Sequence, residues 1–293
     1  MTDVSEATGR DSLGRTGSPL LAMARLAIGV VQGAALWWLY RSAREPLAMV
    51  WPATQPEFFG PLAMILVMVP VLLLAGVGRM RWPVLLAWAV GATAFLGLLG
   101  WHGVASQGSG EYGPGRYPPF LPWPMPLFAA TALFIGHHLV LPADLERKWI
   151  AAFPTYFDTA WKAGVQLALS VAFTGAFWIL LFLGAGLFSV IGLDFLRDLI
   201  GQEWFSIPVT TLAFSAAVHL TDVKDGLIRG VRTVALMLLS WLMPVMALIT
   251  AAFIAALPFA GVGRLWDEGY GASLMLAAAA ALIILINAAY QDG

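Results

Sequence analysis

Four polar side chains that could do chemistry inside a membrane recur at helical spacing in an otherwise apolar chain. They are separated by four, four and three residues: Thr211, Ser215, His219 and Asp222. On an α-helix this spacing places them on one face about 80° wide. We call this set the 211–222 seam. A histidine beside a carboxylate could relay protons, bind a divalent cation or simply hold an ion pair.

A second row of polar residues follows the fifth apolar stretch of the chain. Its members are four residues apart and form the 162–174 seam: Lys162, Gln166, Ser170 and Thr174. Because consecutive antiparallel membrane helices tend to be neighbours, we expect the two seams to face each other. Asp222 should then meet a cation, with Lys162 as the first candidate and Arg25 as the second. A water-facing Asp222 explains the sequence nearly as well.

The first apolar stretch carries its own polar residues, Arg25 near one end and Gln32 near the middle. A side-chain amide that faces lipid tails loses its hydrogen bonds, so we predict that Gln32 is buried between helices. Gly29 and Gly33 form a pair of small residues four apart, which allows another helix to approach closely.

Histidines and enzyme motifs offer little further chemistry. His137 and His138, with His219, are the only metal-ligand alternative that we retain, and helix capping explains them as well. The chain contains no HExxH, GxSxG, GxxxxGK[ST] or GxGxxG motif. It also lacks cysteine, which excludes disulfides and thiolate chemistry. We therefore assign no catalytic residue, no metal and no cofactor, and we lean against an enzyme.

The composition shows what kind of protein must position these residues. Hydrophobic residues make up 60% and charged residues 11% of the 293 residues, and the mean hydropathy is +0.80. Soluble domains carry about 25% charged residues, so the sequence predicts an integral membrane protein. The net charge of −1 gives no sign of a nucleic-acid partner.

Apolar stretches near the length of a membrane-spanning helix predict an all-α, polytopic transmembrane bundle of about eight spans. Residues 20–293 form this domain, and residues 1–19 form a disordered cytoplasmic tail. The predicted spans are 20–40, 58–77, 82–101, 123–141, 159–192, 205–220, 231–257 and 272–290. Two amphipathic connections, "ADLERKWIAAF" and "LDFLRDLIGQEW", are predicted to be helices that lie in the membrane surface.

The distribution of basic residues predicts the orientation, because Lys and Arg are retained in the cytoplasm. With both termini inside, eleven of the sixteen basic residues flank the cytoplasmic face. Residues 143–158 and 221–232 then face the cytoplasm, while 102–122 and 193–204 face the exterior. The partners expected are the lipid bilayer and anionic lipid headgroups at the basic loops. The oligomeric state stays open.

Several segments resemble a bacterial integral-membrane family of unknown function, domain of unknown function 4153. The likeness runs from about Leu20 onward through "RLAIGVVQGAALWWLY", "FPTYFDTAWKAGVQLALSVAFTGAFWILLFLGAGLFSVIGLDFLRDLIG", "VHLTDVKDGLIRGVRTVALMLLSWLMPVMALITAAFIAALPF" and "LINAAYQDG". The resemblance implies a location in the bacterial inner membrane and brings no catalytic residues. Family members usually continue with further apolar segments, which leaves open that the chain is an N-terminal fragment.

Three functions fit these observations. A membrane scaffold or regulatory and assembly component would use the polar seams to pack helices, and we place it first. A secondary transporter or channel-like protein would use the space between spans five and six as a polar pathway. An enzyme acting on lipid-linked substrates at the cytoplasmic interface would need a catalytic centre, and only residues 219–225 offer one.

Overall fold

The computed structural model describes residues 18–44, 50–107, 121–190, 194–223 and 271–290, with parts of 243–258. Over these residues the chain is all-α. Its helices are α1 (Pro19–Ala43), α2 (Pro56–Gly76), α3 (Trp82–Ala105), α4 (Pro124–Glu146), α5 (Phe153–Val190), α6 (Phe195–Ile200), α7 (Glu203–Val223) and α8 (Gly271–Ala289). The residues described between 243 and 258 are also helical.

The predicted polytopic architecture is confirmed. Within the described ranges, six helices are long and apolar enough to cross a membrane: α1, α2, α3, α4, α5 and α7. They match the first six predicted spans, and α8 matches the eighth. The predicted tail, most of the loop 102–122 and most of the seventh span lie outside the described residues. Residues 224–232 of the predicted cytoplasmic connection, which include Lys224, Arg229 and Arg232, lie outside them too.

Prolines lie at the start of several of these helices, and a side-chain cap begins α1. Proline occupies the first or second position of α1, α2, α3 and α4, where its missing N–H is not needed. Ser18 caps α1 by accepting a hydrogen bond from the Leu21 amide through its Oγ at 3.2 Å.

The chain divides into two compact units. The first contains residues up to 151 together with 166–225, and the second contains 152–165 together with 226–293. In the first unit α1 packs closely against α7 and α2 packs closely against α3, with α4 beside α3. A buried cluster of aliphatic and methionine side chains joins α2, α3 and α4, including Met64, Leu85, Leu96 and Leu133.

Glycines bring α1 and α7 together, as the spacing of Gly29 and Gly33 predicts. A Cβ atom on Gly29 would lie 2.7 Å from the Ser215 Cβ and 2.9 Å from the Thr211 carbonyl oxygen. A Cβ on Gly33 would overlap the backbone of Pro208. Only glycine fits at these positions, so the two helix backbones are in direct contact.

The prediction of an interfacial helix between α4 and α5 is wrong. Helix α4 continues to Glu146, and Arg147 then adopts a left-handed conformation with φ 58°. Its amide donates to the Asp144 carbonyl, which closes the helix end. Helix α5 begins at Phe153, with Pro154 as its second residue, so too few residues remain for a separate helix. The other amphipathic connection forms the short helix α6, with Ile200 buried.

The second unit begins with the first turns of α5. Helix α5 has 38 residues, or about 57 Å, and is longer than a bilayer requires, as its sequence predicts. Aromatic side chains four residues apart stack along these first turns. The Phe153 and Phe157 ring centroids are 6.2 Å apart, and those of Phe157 and Trp161 are 5.9 Å apart.

Candidate functional site

A carboxylate held between two arginines lies at one end of the first unit. Asp222 is in the last turn of α7, Arg25 is in α1, and Arg79 is in the turn between α2 and α3. Arg25 Nη2 donates to Asp222 Oδ2 at 2.6 Å, and Arg79 Nη2 donates to Oδ1. The side chains of Arg25, Asp222 and Arg79 are 1%, 0% and 15% exposed. We call these three residues the Arg–Asp–Arg cluster.

The turn between α2 and α3 delivers Arg79 to this cluster. Gly78 adopts φ 85°, which favours glycine, and the Arg79 amide donates to the Gly76 carbonyl at 3.0 Å. A Cβ on Gly78 would lie 2.9 Å from Leu21 Cδ2, so this turn packs directly on α1. Arg25 Nη2 also donates to the Val77 carbonyl at 3.1 Å. The turn is thus bonded to α1 and α7 at once.

Gln166 of the 162–174 seam extends the network into α5. Its Oε1 accepts a hydrogen bond from Arg79 Nη2 at 2.7 Å, and its Nε2 donates to the Val218 carbonyl at 3.0 Å. Ser170, which is also buried, donates to the Gln166 carbonyl at 2.8 Å. Gln166 therefore joins α5 to α7 and to Arg79, but its partner in α7 is the backbone of Val218, which is not a member of the 211–222 seam.

The 211–222 seam faces α1 and not, as predicted, the 162–174 seam, because Gly29 and Gly33 allow α1 to pack directly on α7. Ser215 is fully buried, and its Oγ donates to the Arg25 carbonyl at 2.5 Å. Thr211 lies against Gly33 and donates to the Pro208 carbonyl at 3.0 Å. His219 carries a buried Nδ1 that has no hydrogen-bond partner among the described residues. Three members of the seam, Thr211, Ser215 and Asp222, therefore contact α1 directly.

Gln32 is buried between helices, which confirms that prediction. Its Nε2 donates to the carbonyls of Leu66 and Val67 in α2, at 3.2 and 3.1 Å. Pro70 lies four residues after Leu66 and has no N–H, so the Leu66 carbonyl has no regular helical partner. Gln32 supplies the missing donor, a common solution for prolines in membrane helices.

A second ion pair joins α3 to α4 at the end of the bundle that holds Arg79. Asp144 Oδ1 accepts from Arg81 Nε at 2.5 Å, and its Oδ2 accepts from the Arg81 amide at 2.8 Å. Arg81 is the N-cap of α3 and makes no cap with its own side chain. The Asp144 carboxylate therefore takes the capping role, at the positive end of the helix dipole.

The Arg–Asp–Arg cluster contains one more cation than anion. Arg25 is the more buried of its two arginines, and its Nε and Nη1 have no hydrogen-bond partner in the described part of the chain. A carboxylate that accepts from two guanidinium groups has its lone pairs engaged and its charge neutralised. This arrangement suits a structural anchor or an anion contact, and it does not suit a nucleophile or a general base.

The remaining predictions concern the cation that pairs with Asp222 and the histidines proposed as metal ligands. The cation expected for Asp222 is present, but it is the second candidate, Arg25, with Arg79 beside it. Lys162 belongs to the second compact unit. His137 and His138 are buried in α4 with rings 5.3 Å apart, and a protonated His138 Nδ1 would donate to the Phe134 carbonyl at 2.7 Å. The described residues contain no group of three or more potential metal ligands.

Sequence reasoning missed Arg79 and the pair of Arg81 with Asp144. Both arginines lie in the short connection "GVGRMRW" and count as basic residues beside a membrane face. Helical spacing carries no information about the direction of a side chain in a turn. The glycine at position 78, directly before Arg79, was the available signal, because glycine permits the tight turn that directs Arg79 inward.

Comparison with known proteins returns no relative. No protein-family model, no curated protein and no solved structure matches the chain.

Proposed function

We propose that the chain is a membrane scaffold, a multi-pass protein whose buried polar residues hold helices in place for assembly with other membrane components. One observation carries the proposal: the Asp222 carboxylate is fixed by Arg25 and Arg79 inside the first unit. Ser215, Gln32 and Gln166 likewise donate to the backbone of neighbouring helices. These polar groups make fixed contacts between helices.

A transport pathway along the same residues would have to break these contacts. Each buried donor or acceptor left without a partner costs about 1–3 kcal/mol, and charged groups cost more. Opening a lane between α5 and α7 would separate the Gln166 amide from the Val218 carbonyl, which is its acceptor in α7. The bonding pattern therefore favours the scaffold over the pathway.

Removal of all three charges from the Arg–Asp–Arg cluster tests the proposal. Well-packed apolar replacements for a buried charged triad are often neutral or stabilising, whereas loss of one partner is costly. We expect the variant Arg25→Met with Arg79→Met and Asp222→Leu to fold and to restore the wild-type metabolite and lipid profile of a deletion strain. A neutral polar variant, Arg25→Gln with Arg79→Gln and Asp222→Asn, serves as the second version.

The readouts separate folding from function. Size-exclusion chromatography in detergent reports whether each variant folds, and profiling of metabolites and lipids reports whether it works in cells. A folded variant that still shows the deletion profile would mean that the charges themselves act on a solute or substrate, and the scaffold proposal would be wrong.

Anion transport is the second candidate, since the cluster has two arginines for one carboxylate. The Nε and Nη1 atoms of Arg25 lack hydrogen-bond partners among the described residues. A small anion would accept hydrogen bonds from both atoms. Flux of chloride and phosphate into proteoliposomes tests this function. Flux that Arg25→Gln abolishes, while the variant stays folded, would favour transport over the scaffold.

We further propose the bacterial inner membrane as the location, with both termini in the cytoplasm. The excess of basic residues on one side of the predicted topology supports this orientation. Anionic lipid headgroups are the proposed partners of the basic loops. Because the chain contains no cysteine, single cysteines can be introduced for labelling. Among the described residues, Trp149 is the most suitable position, because it follows α4 and is almost fully exposed. If an impermeant reagent labelled Trp149→Cys from outside intact cells, the proposed orientation would be wrong.

A further inference from the structure

A cleft of about 610 Å³ opens between the end of α1 and the start of α7, away from the Arg–Asp–Arg cluster. Its volume is within the range of about 300–1,000 Å³ that is typical of small-molecule sites. Its walls combine indole rings with charges of both signs: Trp37, Trp38, Trp204, Arg41, Arg44 and Glu203. None of these residues takes part in the contacts of the proposed function.

The aromatic walls hold one of the cations in place. The Arg41 guanidinium lies over the Trp37 ring, with Cζ 5.8 Å from the ring centroid. Trp38 packs against Trp51 at a centroid distance of 5.8 Å, and both Trp38 and Trp204 remain exposed. Arg41 forms no ion pair with the described residues. Its charge is therefore positioned and available for an anionic group.

The cleft also presents a carboxylate that is only partly engaged. Glu203 Oε2 lies 3.4 Å from Arg44 Nη1, and the Tyr40 hydroxyl donates to Glu203 Oε1 at 3.3 Å. Both contacts are long for hydrogen bonds to a charged group, and the Glu203 side chain is 28% exposed. A cation with good hydrogen-bonding geometry can replace the Arg44 contact. The cleft thus offers a site for an anion and a site for a cation.

We propose that this cleft binds the headgroup of a zwitterionic phospholipid. The phosphate would contact the Arg41 guanidinium, and the ammonium would contact the Glu203 carboxylate beside the exposed indole rings. Indole rings at the ends of membrane helices lie at the level of lipid headgroups. A zwitterionic headgroup supplies a partner of opposite charge for both Arg41 and Glu203, whereas a purely anionic headgroup supplies none for Glu203. The same chemistry occurs in the free headgroup, so the experiment must distinguish the lipid from its soluble part.

Native mass spectrometry of the purified protein with equimolar phosphatidylethanolamine and phosphatidylglycerol measures this preference. We expect about fivefold more phosphatidylethanolamine bound, equivalent to about 1 kcal/mol. Glu203→Gln should abolish the preference, and Arg41→Gln should reduce the binding of both lipids. Asp198→Asn and Arg197→Gln, on exposed positions of α6 outside the cleft, are the matched controls and should behave as wild type.

Three results would overturn the proposal. The first is equal or greater binding of phosphatidylglycerol by the wild type. The second is a preference in Glu203→Gln that equals that of Asp198→Asn. The third is displacement of the lipid by an equal concentration of water-soluble glycerophosphoethanolamine, because the occupant would then be the free headgroup. A thermal melt of each variant in detergent confirms that it is folded before lipid is added.

Discussion

Substitutions of different residues in the Arg–Asp–Arg cluster should reduce the free energy of unfolding by different amounts. Asp222→Asn leaves two guanidinium groups and no anion, and Arg25, whose side chain is 1% exposed, cannot turn to water. Removing one partner of a buried ion pair costs about 3–5 kcal/mol. Arg79→Gln removes the hydrogen bonds to Asp222 and Gln166 but leaves a neutral pair of Arg25 with Asp222, so we expect a smaller loss of about 1.5–3 kcal/mol, the scale of a hydrogen bond to a charged group.

The ratio of two arginines to one carboxylate also predicts that one substitution reduces the stability loss caused by another. Arg25→Gln in the Asp222→Asn background removes the unpaired buried charge, so this double variant should be about 2 kcal/mol more stable than Asp222→Asn alone. Equilibrium unfolding in mixed micelles of a mild detergent and sodium dodecyl sulfate, followed by circular dichroism, measures the free energies. Asp198→Asn, which changes an exposed carboxylate, is the control and should stay within about 0.5 kcal/mol of wild type.

Two outcomes would refute this reasoning. A loss below about 1 kcal/mol for Asp222→Asn would mean that the two arginines do not need the carboxylate in the folded bundle. A double variant that is no more stable than Asp222→Asn would mean that the cost does not come from unpaired charge, because a double-mutant cycle isolates the coupling between the two positions.

Three further predictions use the same unfolding assay. Gln32→Leu should cost about 1 kcal/mol of stability. The loss should be smaller in a Pro70→Ala background, where the new amide at position 70 can bond to the Leu66 carbonyl. Equal losses in both backgrounds would mean that Gln32 does not replace the donor that Pro70 lacks. Gly33→Ala should cost about 1–3 kcal/mol by overlap with α7, whereas Gly91→Ala, which meets nothing within 4 Å, should be neutral or stabilising. Asp144→Asn should cost about 1–2 kcal/mol by weakening the cap of α3, and a neutral result would show that the cap is dispensable.

Sequence reasoning was most effective where a residue lies within a long helix. Apolar length predicted the spans that the described residues contain. The spacing of Thr211, Ser215 and Asp222 predicted that they share one face of α7, although that face meets α1 and not the predicted α5. Polarity within an apolar span likewise predicted the burial of Gln32. These predictions are confirmed because a membrane helix has a fixed period and because lipid tails offer no hydrogen bonds.

The same reasoning failed for residues in turns. The periodicity near Trp149 indicated a helix, but the left-handed Arg147 and the nearby Pro154 end one helix and begin the next. Arg79 was interpreted as a residue beside the membrane, although its turn directs it to Asp222. Pairing across the turn depends on how α2, α3 and α7 pack, and a single sequence contains no direct signal of that packing.

The partner of Arg25 is 197 residues further along the chain, which has a consequence during synthesis. At translation rates of about 5–20 residues per second, Asp222 emerges about 10–40 seconds after Arg25. During that interval α1 contains a cation without its carboxylate. At the centre of a membrane helix such a charge costs about 2.5–3.5 kcal/mol on translocon scales, which is an upper bound for Arg25 because it lies near one end of α1. We expect the nascent α1 to keep Arg25 near the lipid headgroups, or beside the insertion machinery, until α7 arrives. Helix α1 is therefore made before α7 but reaches its final depth only after α7 is in place.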